Sequence, residues 1–181
     1  MPNYIAILRG INVGGKRKIL MADLKQLFHD LGFQEVQTYI QSGNVLFSSN
    51  QDLKAEAIEN LLEAEILKSF GFEVHVIVRT SDQLIKAINN NPFYKSTDVD
   101  IDRLHLTLLK QEPFHENLDK LIDFKQEKDD FKIANRNVFV YCSGKYSDSK
   151  FSNTFFESKL KVTATTRNWK TILKLAEMLS D

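Results

Sequence analysis

The chain has 181 residues, of which 43% are hydrophobic and 27% charged, with three prolines and seven glycines; this is a globular composition, enough for one ordinary domain or two small ones, and it excludes a disordered or fibrous chain. Lys plus Arg equals Asp plus Glu at 24 each, so no general electrostatic pull toward nucleic acid or a membrane exists, and any anion binding must be local. The only cysteine, Cys142, excludes an internal disulfide framework and a zinc set and suits a reducing compartment, which predicts a cytoplasmic protein with no bound metal.

The chain opens Met-Pro-Asn-Tyr-Ile-Ala-Ile-Leu-Arg. No basic segment precedes this apolar run, and it is too short for a secretory signal or a membrane span, so Tyr4 to Arg9 is expected to be a buried first strand. A Gly-rich, basic connection follows, Gly10-Ile-Asn-Val-Gly-Gly-Lys-Arg-Lys18. The next helix places Met21, Leu24, Leu27, Phe28 and Leu31 on one face and stops at Gly32. Val36 to Gln41 and Val45 to Ser48 read as strands around a Ser42-Gly43-Asn44 turn. A helix is expected over about Asp52 to Phe70, with Leu53, Ala57, Leu61 and Ala64 inward and Glu56, Glu59, Glu63 and Glu65 exposed. Phe72 to Arg79 alternates as a strand, and a short helix follows Ser81.

The order β-α-β-β-α-β is that of a ferredoxin-like unit. Asn89-Asn90-Asn91-Pro92 then breaks the pattern, and the order begins again. A strand covers Arg103 to Lys110, a helix carries Leu118, Leu121 and Ile122, and two strands flank Asn135-Arg136-Asn137. A helix with Phe151, Phe155, Phe156 and Leu160 precedes a short strand near Val162 to Thr166. The chain closes on a helix carrying Trp169, Ile172, Leu173, Ala176 and Leu179, capped by Asn168 or Thr166. The expected fold is α+β, two tandem ferredoxin-like subdomains with antiparallel or mixed sheets and an extra C-terminal helix. The expected bounds are 1–90 and 103–181, joined by a connector over 91–102. Ile40 to Phe47 also resembles Ile133 to Val140, matching at the Ile, the second Asn and the Val.

Chain order places the candidate chemistry. The first and second strands of such a unit are parallel, joined by a right-handed crossover, so the end of the first and the turn after the second share one rim of the sheet. That rim gathers Arg9, Asn12, Gly14, Gly15, Lys16, Ser42 and Asn44. Glycine amides without side-chain cover, flanked by cations, form an anion-binding concavity. The plainer reading is that the glycines serve backbone geometry and Ser-Gly-Asn is an ordinary turn. Gly10, Gly15 and Lys16 also fit a phosphate-binding loop, but Arg17 stands where that loop needs a hydroxyl for Mg²⁺, and the helix starts too late to reach a phosphate.

Asp98-Val-Asp-Ile-Asp102 opens like a calcium loop but lacks its Gly and its final Glu. The four histidines show no ligand spacing, and His75 and His105 are expected on polar strand faces. Thr165-Thr166-Arg167-Asn168-Trp169 is a second polar cluster. Arg167 is an anion contact or a structural side chain there, and Asn168 a ligand contact or a helix cap.

Three segments, Leu8 to Lys16, Ser42 to Phe47 and Thr165 to Trp169, closely resemble the signatures of the uncharacterised bacterial family labelled domain of unknown function 1697 (DUF1697). The likeness spans essentially the whole chain. It implies two ferredoxin-like subdomains, and it implies no reaction, cofactor or substrate and carries over no catalytic residue.

Three functions compete: a module binding a phosphorylated or otherwise anionic small ligand at the Gly-rich rim with Arg167 and Asn168 as further contacts, a small-molecule enzyme of unassigned reaction at the same rim, and an RNA-binding module. The last needs stacking aromatics, for which Tyr4 and Phe47 are the candidates, but the RNA-recognition motif is missing and zero net charge disfavours nucleic acid. No membrane partner is expected. Exposed edge strands could pair between chains into a homo-oligomer.

Overall fold

A computed structural model of the chain describes residues 3–95, 98–122, 124 and 128–180, so residues 96 and 97 of the expected connector lie outside the described residues. The elements are β1 (Asn3–Leu8), α1 (Met21–Asp30), β2 (Gln34–Tyr39), β3 (Asn44–Ser48), α2 (Ala55–Phe70), β4 (Val76–Thr80) and α3 (Ser81–Asn89). They continue as β5 (Leu104–Leu109), α4 (His115–Ile122), β6 (Asp130–Ala134), β7 (Asn137–Tyr141), α5 (Asn153–Leu160), β8 (Ala164–Asn168) and α6 (Trp169–Ser180). Two four-stranded sheets result, ordered β2-β3-β1-β4 and β6-β7-β5-β8, and each strand pairing is antiparallel. The fold is therefore α+β with two tandem ferredoxin-like arrangements, to which α3 and α6 are added. Two compact units form, one from residues up to Ile85 together with those from Leu175 onward, the other from Lys86–Lys174.

In the first unit one face of the sheet presents Tyr4, Ala6, Leu8, Val45, Phe47, Val76 and Val78 to α1 and α2, whose Leu24, Phe28, Ile58, Leu62 and Ile66 complete the core. Tyr4 stacks on Phe47 with ring centroids 5.5 Å apart, and Phe28 and Phe33 close around the same ring. The second unit packs Leu109, Val138, Val140, Cys142 and Ala164 against Phe151, Phe156 and Leu160.

The inward face of α2 differs from the sequence expectation. Ile58, Leu62 and Ile66 are buried and Ala57 and Ala64 are exposed. Glu59, expected at the surface, is only 2% exposed. The reason lies on the neighbouring strand. β4 is a sheet edge, and its outward amides must find acceptors. Val78 N–H donates to Glu59 Oε1 at 2.8 Å, Val76 N–H to Glu63 Oε1 at 2.8 Å, and Thr80 N–H to Gln83 Oε1 at 3.1 Å. Two carboxylates one helical turn apart thus cover alternate amides of the strand, which outweighs the small gain from burying two alanines.

The second unit repeats part of this pattern. Glu157 Oε1 accepts from Ala164 N–H at 2.9 Å and Asn153 Nδ2 donates to Ala164 O at 3.0 Å, so α5 covers the edge strand β8. Leu8 N–H donates to Gly43 O at 2.8 Å and Leu109 N–H to Arg136 O at 2.9 Å. Arg9 N–H donates to His75 O at 2.9 Å and Lys110 N–H to Thr163 O at 2.8 Å. Arg79 and Arg167 each donate Nη1 to the preceding residue's carbonyl at 2.9 Å. Of the three hairpin matches read from sequence, Asn44 with Asn137 and Val45 with Val138 hold equivalent positions beside the central strands. Ile40 and Ile133 do not, because Ile40 lies in the turn and Ile133 in β6.

Replacing Glu59 by Ala strands a buried amide, and Glu59→Ala is expected to cost about 1–3 kcal/mol of unfolding free energy. Urea denaturation measures it, and a loss below about 0.5 kcal/mol would be that of an ordinary surface substitution.

Candidate functional site

The connection between β1 and α1 runs over residues 9–20 and forms a flap on the rim of the first sheet. Its middle is a tight turn in which Lys16 N–H donates to Val13 O at 3.0 Å and Asn12 N–H to Arg17 O at 3.2 Å. Gly14 and Gly15 occupy the centre of this turn with φ of 59° and 74°, a conformation that suits glycine. Their amides donate to no acceptor among the described residues and lie at the exposed tip. Lys16, Arg17 and Lys18 are exposed, Arg9 is half-buried, and the apolar side chains of Val13 and Leu20 also face solvent.

Asn12 fastens the flap. Its Nδ2 donates to Ile19 O at 3.0 Å and to Gln41 O at 2.8 Å, while its Oδ1 accepts from Ile19 N–H at 2.9 Å. One side chain therefore closes the flap on itself and ties it to the β2–β3 turn. The two segments expected to share a rim do so. In that turn Gly43 has φ 83°, and a Cβ there would sit 2.8 Å from Leu8 Cβ and from Ile11 Cδ1, so glycine is required by both conformation and contact. Asn44 is fully buried, donating Nδ2 to Tyr39 O at 2.9 Å and to Ser42 Oγ at 3.1 Å. Asn12 and Asn44 thus build the rim, and Arg9, Gly14, Gly15 and Lys16 line its outer surface.

Arg167 and Asn168 belong to the second unit. Arg167 Nη1 bonds Thr165 Oγ1 and Thr166 O, each at 2.9 Å, and burial pushes its pKa down to about 10, so it keeps its charge at neutral pH. Asn168 Oδ1 accepts from Thr171 N–H at 2.8 Å and caps α6, with Trp169 fully buried behind it.

Other sequence features resolve in the same way. The helix after the flap starts at Met21, beyond a closed turn, unlike a phosphate-binding loop. Of the calcium-like acids, Asp100 and Asp102 serve a 3₁₀ turn at Ile101–Arg103, where Asp100 Oδ1 accepts from Asp102 N–H at 3.1 Å and Asp102 pairs with Lys170 at 2.7 Å. No group of His, Cys, Asp and Glu suited to a metal occurs among the described residues. Tyr4 and Phe47 stack inside the core, so they offer no surface for RNA bases.

His105 is the main correction. Expected on a polar face, it is 8% exposed and stacks on Tyr146 with centroids 4.3 Å apart. Burial holds its pKa below the usual value, against a bond to the Arg103 backbone. Burial likewise pushes the Cys142 thiol and the Tyr146 phenol upward. Nearby, burial acts against the Asp129 carboxylate, but bonds from Ser149 Oγ at 2.6 Å and from Ser143 N–H and Oγ at 2.8 Å overcome it and lower its pKa.

The fold and rim define a class: a tandem ferredoxin-like protein whose first unit carries a pinned, basic, Gly-rich flap. The profile of the family described as "protein of unknown function (DUF1697)" matches residues 1–139, and the chain belongs to that family. It is similar across 98% of both chains to the solved structure of the conserved bacterial protein SP0830 from Streptococcus pneumoniae, with 26% identity and a TM-score of 0.76. No curated protein matches it.

Two outcomes test this geometry. Asn12→Ala should lower stability by about 1 kcal/mol and accelerate hydrogen exchange at Ile19, whose amide loses its acceptor; unchanged exchange there means that the flap is held by other contacts. For His105 the folded state favours neutral imidazole, whereas the unfolded chain takes up a proton near 6.5. The unfolded state therefore binds more protons below that pH, and stability, complete above it, falls as the pH drops further. His105→Phe should flatten this slope in thermal unfolding scans at pH values below about 6.5; an identical slope removes His105 as its source.

Proposed function

We propose that the flap and the β2–β3 turn bind a small anionic ligand, with a phosphoryl group as the favoured chemistry. The comparison of the two units carries this reading. The second unit makes the same crossover, with the same bond at its start, over residues 110–114, whereas the first uses residues 9–20. The additional length is not needed to join a strand to a helix in this fold. It supplies Gly14 and Gly15, whose exposed amides can both point at one anion, and the cations Lys16, Arg17 and Lys18 beside them. Arg9 adds a fourth cation from the end of β1.

Asn12 supports the reading further. A flap already ordered by three side-chain bonds gives up little conformational entropy when it closes on a ligand. The exposed Val13, Leu20 and Ile40 favour a ligand whose anionic group is joined to an apolar or aromatic body.

Pyrophosphate and a panel of nucleotides and phosphorylated metabolites provide the test. Ligand-induced thermal shifts of the wild-type chain should be lost in Arg9→Ala/Lys16→Ala, with affinity weaker by roughly tenfold or more and the unliganded protein still folded. Shifts of equal size in the wild type and the double variant would falsify the proposal.

A further inference from the structure

The four edges of the two sheets are not treated alike. β4 has Glu59, Glu63 and Gln83 over its outward amides, and β8 has Glu157 on the Ala164 amide and Asn153 on the Ala164 carbonyl. β2 is broken by a register shift between Gln34 and Gln37, with Glu35 left-handed at φ 51°, which spoils it as a template. Among the described residues β6 has neither a helix side chain over its edge nor a register break. Its register against β7 runs unbroken from Asp130 to Ala134, and Asp130, Lys132 and Ala134 are exposed. Phe131 N–H donates to the adjacent Asp130 Oδ1 at 2.8 Å, so Phe131 belongs to the set facing away from β7, and Ile133 shares that set by the period of two. Beside this edge lies a cavity of about 400 Å³, walled by Leu118, Leu121 and Ile122 of α4 and by Phe131 and Ile133. Phe114 and Ile122 are 78% and 69% exposed, an unusual degree for large apolar side chains.

We infer that β6 is a strand-addition edge and that its occupant is β6 of a second copy of this chain, paired antiparallel about a two-fold axis at Phe131. The sequence of the strand selects both occupant and register. With Phe131 opposite Phe131 of the second copy, Lys132 of each copy lies opposite Asp130 of the other. These are non-hydrogen-bonded positions, where opposed side chains are closest. Centring one residue later would set Lys132 against Lys132. On pairing, each Asp130 carboxylate turns to the opposing lysine and releases the Phe131 amide to the opposing carbonyl. The apolar face of α4 then meets its counterpart along the extended sheet. Zero net charge means that two copies approach without mutual repulsion.

Sedimentation equilibrium over a concentration series reads the outcome. The wild-type chain should run at twice 20.9 kDa. Lys132→Asp and Asp130→Lys should each weaken the dimer by roughly tenfold, and the exchange variant Asp130→Lys/Lys132→Asp should restore it. Circular dichroism confirms that each variant is folded. A wild-type chain that stays monomeric at about 100 μM overturns the proposal and leaves the edge to a different strand, as does a dimer indifferent to Lys132→Asp or not restored by the exchange.

Discussion

Backbone amides that no strand neighbour satisfies have to be met by something else, and how this chain meets them explains most of what is particular about it. At β4 two acceptors one turn apart come from α2, and at β8 one comes from α5, which fixes the rotation of each helix about its axis. At the rim of the first sheet the amide of Ile19 is met by Asn12, which also reaches the facing turn. The buried Glu59 carboxylate, costly alone, is stable here because it accepts from an N–H that would otherwise be orphaned.

The repeat supplies an internal control that a single ferredoxin-like unit could not. Features present in both copies, such as the helix carboxylate on the edge strand and the arginine bonded to the preceding carbonyl, are requirements of the fold. Features present in one copy are not. The flap over residues 9–20 and the left-handed break in β2 belong to the first copy, and the edge strand β6 with its unbroken register belongs to the second. The same comparison places Arg167 with Arg79 as a structural arginine and gives Asn168 its role as a cap.

Element order and strand direction were legible in the sequence because they follow from local periodicity and from the handedness of the crossover. The rim was legible for the same reason, since it depends only on β1 and β2 running the same way. The face of α2 was not. Ala57, Ile58, Leu61, Leu62, Ala64 and Ile66 spread apolar character around the helix, and the deciding partners, Val76 and Val78, lie on a strand whose edge position emerges only from the sheet order. His105 misled because alternation on β5 assigns it a polar side, while both faces of that strand are buried. Its ring is covered by Tyr146, forty-one positions along the chain, and no local pattern carries that contact.

The anion site proposed at the flap belongs to a chain of zero net charge. Without a long-range field, attraction begins only within about a Debye length of the cations, roughly 8–10 Å at physiological salt. Affinity must then come from short contacts and from geometry set before the ligand arrives. Lysine and arginine side chains alone would supply charge but would lose rotamer freedom on binding. Two glycine amides at a closed turn supply donors that have already lost theirs, and Asn12 closes the flap through two bonds to Ile19 and ties it to the facing turn through one to Gln41 O at 2.8 Å. Glycine is costly in the unfolded ensemble, and its use at two successive solvent-exposed positions, on a connection that the companion unit makes without any, is the strongest physical reason to look for a ligand at that tip.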